Sequence, residues 1–195
     1  MSQDAEDPPA PRHATHEDPF DALGLPPGFD TDPADVERAY LARAAAIHPD
    51  LAAPDPLVQA DAARRSARLN AARETLLDPE RRAVALLARL GGAPAADDRA
   101  LPDGFLMEMM QTRVQIEEEL DEDADAARPR WLSWASDRRR ERIDRVRDLF
   151  LARAQAPDPA ILADIRRELN AWRYIERLVE QLDPDHAPAR RERDA

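Results

Sequence analysis

With 195 residues the chain suits one or two small domains and is long enough to bury a core. Its formal charge of −12 disfavours nucleic acid as a general partner, and having no cysteine it holds no disulfide, thiolate metal site, thiol nucleophile or self-ligated iron–sulfur cluster. No apolar run approaches a membrane span and the N-terminus is acidic where a signal peptide is basic, so a soluble cytoplasmic protein is expected.

All 28 basic residues are arginine, which reads mainly as a codon-composition bias. Five glycines, little β-branched alternation and abundant Ala, Leu, Arg and Glu predict an all-α fold. Residues 1–17 are polar and proline-containing without apolar periodicity, and are expected to be a disordered tail. It contains His13 and His16, whose spacing could chelate a metal on a helix; two imidazoles in a flexible tail make a poor site, and no metal is expected. Asp18-Pro19-Phe20-Asp21-Ala22-Leu23-Gly24-Leu25 predicts a capped helix of one or two turns ending at Gly24. A longer helix is predicted over 33–47, with Asp32 as N-cap and Pro33 first; Val36, Tyr40, Ala44 and Ile47 recur at helical spacing. Pro49 bars the α region to His48 and removes a backbone donor, so His48-Pro49-Asp50 begins a tight exposed loop.

A second long helix is predicted from roughly Pro56 to Leu77, with Leu57, Leu69, Leu76, Leu77 and small alanines on its packing face. Asp78-Pro79 ends it, and Glu80 to Leu90 forms a short helix stopped by Gly91-Gly92. Arginines outnumber acids between Asp61 and Arg82, a solvated face or a surface suited to an acidic partner groove. Residues 93–101, rich in Ala, Asp and Pro, read as a linker and domain boundary.

Three longer helical segments follow. The first, about Asp103 to Glu122, carries one apolar stripe at Leu106, Met109, Ile116 and Leu120 and another at Met107, Met110 and Val114. One stripe is enough for packing; the other is either a broad core face or an exposed Met-rich patch for adaptable protein binding. This segment has seven acids and one arginine, whereas Arg128 to Arg153 has nine arginines and four acids. Packed antiparallel, the two complement each other, which makes RNA binding by Arg138-Arg139-Arg140 the lesser reading. The second segment offers Trp131, Trp134, Ile143, Val146 and Phe150, and the third, Pro159 to Leu182, offers Ile161, Ile165, Leu169, Trp172, Ile175 and Val179. Three amphipathic helices with short loops predict a bundle, followed by a disordered tail over 183–195 that contains His186.

Two antiparallel helices joined at His48-Pro49-Asp50 resemble the J domain of the DnaJ co-chaperones, which implies a J domain over 18–92 with Phe20, Leu23 and Leu25 in its core. With Phe105-Leu106-Met107-Glu108 opening an acidic helix, Asn70 to Leu76, Ala85 to Gly91 and Arg173 to Leu178, the chain resembles the HscB family of iron–sulfur cluster assembly from about Asp18 to Leu182. That resemblance implies a non-enzymatic adaptor without cofactor. Its loop residues His48, Pro49 and Asp50, with Arg43 on the preceding helix, would contact a chaperone of HscA or DnaK type and stimulate its ATPase. Its C-terminal three-helix domain, 102–182, would deliver an IscU-type scaffold through Leu106, Met107, Met110, Glu118 and Tyr174. Gln111 and Val114 stand where acids are expected, so scaffold contact would rest more on apolar area than on charge, and Leu51 follows Asp50 where a lysine is common. No nucleic acid or membrane partner is implied. A general J-domain co-chaperone for unfolded clients is the alternative. An enzyme has little support from scattered carboxylates without a spaced nucleophile, phosphate loop or metal cluster.

Overall fold

A computed structural model describes residues 18–47, 56–155 and 158–183. They form six helices: α1 Pro19–Leu23, α2 Pro33–Ala45, α3 Pro56–Leu77, α4 Pro79–Arg89, α5 Phe105–Gln155 and α6 Pro159–Leu182. Five of the six begin with proline, whose fixed φ suits the first turn and whose missing N–H is no loss there. At four of those starts an aspartate precedes the proline and its carboxylate accepts from the first turn: Asp18 from the Phe20 N–H at 2.8 Å, Asp32 from Ala34 at 2.9 Å, Asp78 from Arg81 at 3.0 Å and Asp158 from Ala160 at 2.8 Å. The repeated Asp-Pro pair is therefore a start signal for helices. At the other end of α1, Gly24 takes the left-handed conformation (φ 57°), which lets Leu25 N–H reach back to Phe20 O at 2.9 Å.

Helices α1 to α4 bury Phe20, Leu23, Val36, Leu69, Leu76, Ala83 and Leu87, with Phe29 from the α1–α2 connection. Leu25 is only partly buried, packed at the edge of this cluster. A buried cation closes it. Arg82 stacks over Phe29 (5.7 Å) and donates to Phe29 O at 2.8 Å and to Leu76 O at 2.5 Å. Burial pushes its guanidinium pKa down, and two carbonyls answer it in place of water.

Helix α5 folds back on itself. Asp123 leaves the helical region (φ −154°, ψ 88°), and its carboxylate accepts from Ala126 N–H at 3.2 Å, capping a second limb. The limbs lie antiparallel: Arg138 meets Glu108 at 3.2 Å, Trp131 Nε1 donates to Glu119 at 2.8 Å, and Arg130 pairs with the same Glu119. With α6 they make three helical limbs. The second limb starts before Arg128, because the turn at Asp123 and not Pro129 sets its beginning, and Pro129 sits inside it.

The first limb buries Phe105, Met109, Thr112 and Ile116, spaced four, three and four, against Ile175, Leu178, Val179 and Leu182 of α6. Leu106 does not join that packing face as the periodicity predicts. Phe105 begins the helix in its place and turns Leu106 outward, 52% exposed.

The second limb is longer than the first, and its end reaches back to α1–α4. Val146 and Phe150, with Ile165, Leu169 and Trp172 of α6, belong to the same apolar cluster as Phe20 and Leu76. Phe29 and Phe150 stack with centroids 5.7 Å apart, and Arg147 pairs with Asp30 at 2.8 Å beside them. Residues 93–101 are strapped to α6: Arg166, itself buried, donates to Ala93 O at 2.9 Å, and Asn170 donates to Asp98 O and Ala100 O.

Candidate functional site

Two surfaces hold the residues singled out in the sequence. At the first, His48, Pro49 and Asp50 lie outside the described residues. The helices that flank them, α2 and α3, are locked by a polar clasp. Arg73 grips Glu37 with two bonds, Nε to Oε2 at 2.8 Å and Nη2 to Oε1 at 2.5 Å, and lies over the Tyr40 ring at 5.2 Å. Tyr40 Oη donates to Asn70 Oδ1 at 2.7 Å. The hydrogen bonds from Arg73 hold the Glu37 carboxyl below the usual carboxylate range, and Glu37 raises Arg73 in return. In this antiparallel register Tyr40 faces Asn70, so α3 runs on by about 21 Å from Asn70 to Pro56 at 1.5 Å per residue. Between Tyr40 and Ala45, α2 covers only about 8 Å of that. The N-terminal turns of α3, up to about Arg64, therefore project past the end of α2, while Arg65 and Arg68 lie alongside its last turns; all three arginines are exposed. Arg43 is partly buried on α2, its guanidinium folded back toward Gly24 at the end of α1.

The second surface is the outer face of the first limb of α5. Leu106, Met107, Met110 and Val114 are 52%, 63%, 57% and 53% exposed, although the opposite face of the same helix is buried. Monomeric proteins scatter single apolar residues over their surfaces, but four within nine residues on one face make a patch. Glu118 is exposed one turn beyond Val114. Tyr174 of α6 is half-buried beside this helix, its ring edge-to-face with Phe105 at 5.7 Å and 87°. The structure thus gathers Leu106, Met107, Met110 and Glu118 on one helix and sets Tyr174 next to it.

One member escaped the sequence reading. Arg113 lies over the Tyr174 ring at 5.7 Å and donates to Gln181 at 2.7 Å, bridging the patch helix to α6. Its signal was a lone arginine in an acidic helix, three residues after Met110. Arg138, Arg139 and Arg140 are each paired with carboxylates of the chain, to Glu108 and Glu141, to Glu176 and to Asp137. Among the described residues no cluster of three or more His, Asp or Glu could hold a metal, and no helix is long and apolar enough to cross a membrane.

An antiparallel helix pair with capped flanking helices, joined to a helical bundle, defines a class: residues 18–84 match the DnaJ domain family, and the chain is a J-domain protein. Relatives narrow the class. Over 168 residues, 85% of this chain and 94% of the relative, it is 32% identical to the co-chaperone protein HscB homolog of Bordetella petrii. It is 30% identical to the Shewanella baltica homolog over 84% of this chain and 93% of that one. The chain belongs to the HscB co-chaperone family. Its fold is that of solved members. Chaperone HscB from Vibrio cholerae superposes with a TM-score of 0.70 at 23% identity, covering 87% of this chain and 97% of that one. The human co-chaperone protein HscB gives 0.69 at 24%, covering 92% and 86%.

Proposed function

We propose that this chain is a non-enzymatic, cytoplasmic adaptor of iron–sulfur cluster assembly that needs no cofactor. It stimulates the ATPase of an HscA- or DnaK-type chaperone through His48, Pro49 and Asp50, with Arg43 on the flanking helix. It presents an IscU-type scaffold on Leu106, Met107 and Met110, bordered by Glu118 and Tyr174. The observation that carries the scaffold half is the apolar patch left bare on a helix whose other face is already packed. Two of its four members are methionines, whose flexible thioethers adapt to a partner surface. The loop half rests on family membership and on chemistry: Pro49 stiffens the turn, and the Asp50 carboxylate suits an arginine on the partner. With a boundary at 93–101, the loop and the patch fall in different halves, so one chain can hold both partners at once.

The test is ATPase stimulation of the chaperone with and without purified scaffold. His48→Gln is expected to abolish stimulation while leaving helicity by circular dichroism unchanged. Met107→Ala with Met110→Ala is expected to keep basal stimulation and lose the synergy with the scaffold. Wild-type stimulation that ignores the scaffold would instead identify a general co-chaperone for unfolded clients.

A further inference from the structure

Two clefts flank the J half, and their charges differ. One of about 980 Å³ lies among α1, α3 and α4, but three of its arginines are answered by carboxylates within the chain, Arg81 by Asp78, Arg89 by Asp18 and Asp21, and Arg173 by Glu80. It asks no charge of a ligand. The other, of about 590 Å³, opens where the α1–α2 connection, the end of α4 and the end of α5 meet. Its size is that of a small-molecule site. Its apolar wall is the Phe29–Phe150 stack with Leu86, Leu90 and Leu151, the last itself 52% exposed.

Three aspartates and three arginines line this second cleft, and one of those arginines stands without an ion pair. Asp30 pairs with Arg147, Asp32 caps α2, Asp35 pairs with Arg38, and Arg89 is held by Asp18 and Asp21. Arg153 alone, among the described lining residues, has no carboxylate, and its Nε is sealed from solvent without a hydrogen-bond partner. A desolvated N–H with no acceptor is costly and rare in folded proteins. A small turn of the guanidinium toward the cleft would offer Nε and one Nη side by side, the edge that a carboxylate accepts with both oxygens.

We infer that this cleft binds a small aliphatic monocarboxylate, its chain along Phe29, Leu90 and Leu151 and its head on Arg153. The ligand would touch both the J half and the end of α5, and so brace their junction. The site is separate from the scaffold patch and from the loop, and it stands or falls independently of the function proposed above.

Three probes with one tail and different heads test it: octanoate, octanol and octylammonium, titrated into the full chain and followed by amide chemical shifts. Octanoate is expected to give saturable shifts at Phe29, Leu90, Leu151 and Arg153. Octanol should bind about ten- to a hundredfold more weakly, the worth of a hydrogen bond to a charged group, and octylammonium should not saturate. Arg153→Gln is expected to reduce octanoate to the level of octanol with the rest of the spectrum unchanged. Leu151→Glu, which sets a competing carboxylate at the mouth, should abolish octanoate binding. No saturation by octanoate at these residues, equal binding of octanoate and octanol, or unchanged octanoate binding in either variant would overturn the proposal.

Discussion

Glu37 and Arg73 meet from helices that are far apart in sequence, and their pairing makes the flanks of the His48 loop sensitive to acid. The folded carboxyl holds its proton less readily than a free glutamate, so the stability it contributes is fully present above about pH 4.5, the free range. It is lost as pH falls through the lower folded value. Glu37→Gln is therefore expected to lower the urea midpoint at pH 7 and to flatten its decline between pH 5 and pH 3, measured by circular dichroism. Arg82 behaves differently, because it is buried and both of its acceptors are main-chain carbonyls. Arg82→Ala leaves Phe29 O and Leu76 O unanswered and opens a cavity under α4, at an expected cost of about 2–4 kcal/mol in urea unfolding. Neither pairing was readable in the sequence. A charged residue at the head of a short helix looks solvated until a loop some fifty residues away is folded over it.

Helices α1 and α2 start at the Asp-Pro pairs expected to cap them and α6 starts at Pro159 as expected, while Asp78-Pro79, expected only to end α3, also caps and opens α4, since a local cap and a local dihedral decide a helix start. Pro129, by contrast, marks no start, because the chain has already turned at Asp123 and capped itself there. Asp123→Ala is expected to cost about 1 kcal/mol in thermal denaturation, while Asp123→Asn, which can also cap, should cost less than half of that. The two stripes of the first limb were legible as stripes, and the register between them was not. Periodicity gave Leu106 to the packed face because it lies three residues before Met109. The helix begins at Phe105, four residues before Met109, and the aromatic ring takes the buried place against Tyr174. What remains outside is Leu106, Met107, Met110 and Val114, so the candidate scaffold surface is the complement of a packing choice that only α6 could make.

At the scale of the whole molecule, the unequal limbs of α5 matter most. The second limb spans about 48 Å between Ala124 and Gln155 against about 27 Å for the first, so its last turns have no partner in the hairpin. They find one in the J half, where Val146 and Phe150 enter the cluster of Phe20, Phe29 and Leu86. Helix α6 runs beside them, with Ile165, Leu169 and Trp172 in that cluster and Ile175 to Leu182 in the other, and so ties both. Such sharing carries no sequence signature, because both sides read simply as amphipathic helices and the separation exceeds a hundred residues. It has a measurable consequence. Phe150→Ala, far outside the helices around the His48 loop, is expected to destabilise the chain by about 3–5 kcal/mol. It should also speed amide hydrogen exchange in α1 and α4, while exchange in the first limb of α5 changes less. If exchange in α1 and α4 stayed at the wild-type rate, the junction would be a contact between independent units. If it rises, the orientation of α2 and α3 relative to the apolar patch is set by a common core, and two partners engaged as proposed above would meet at a fixed distance.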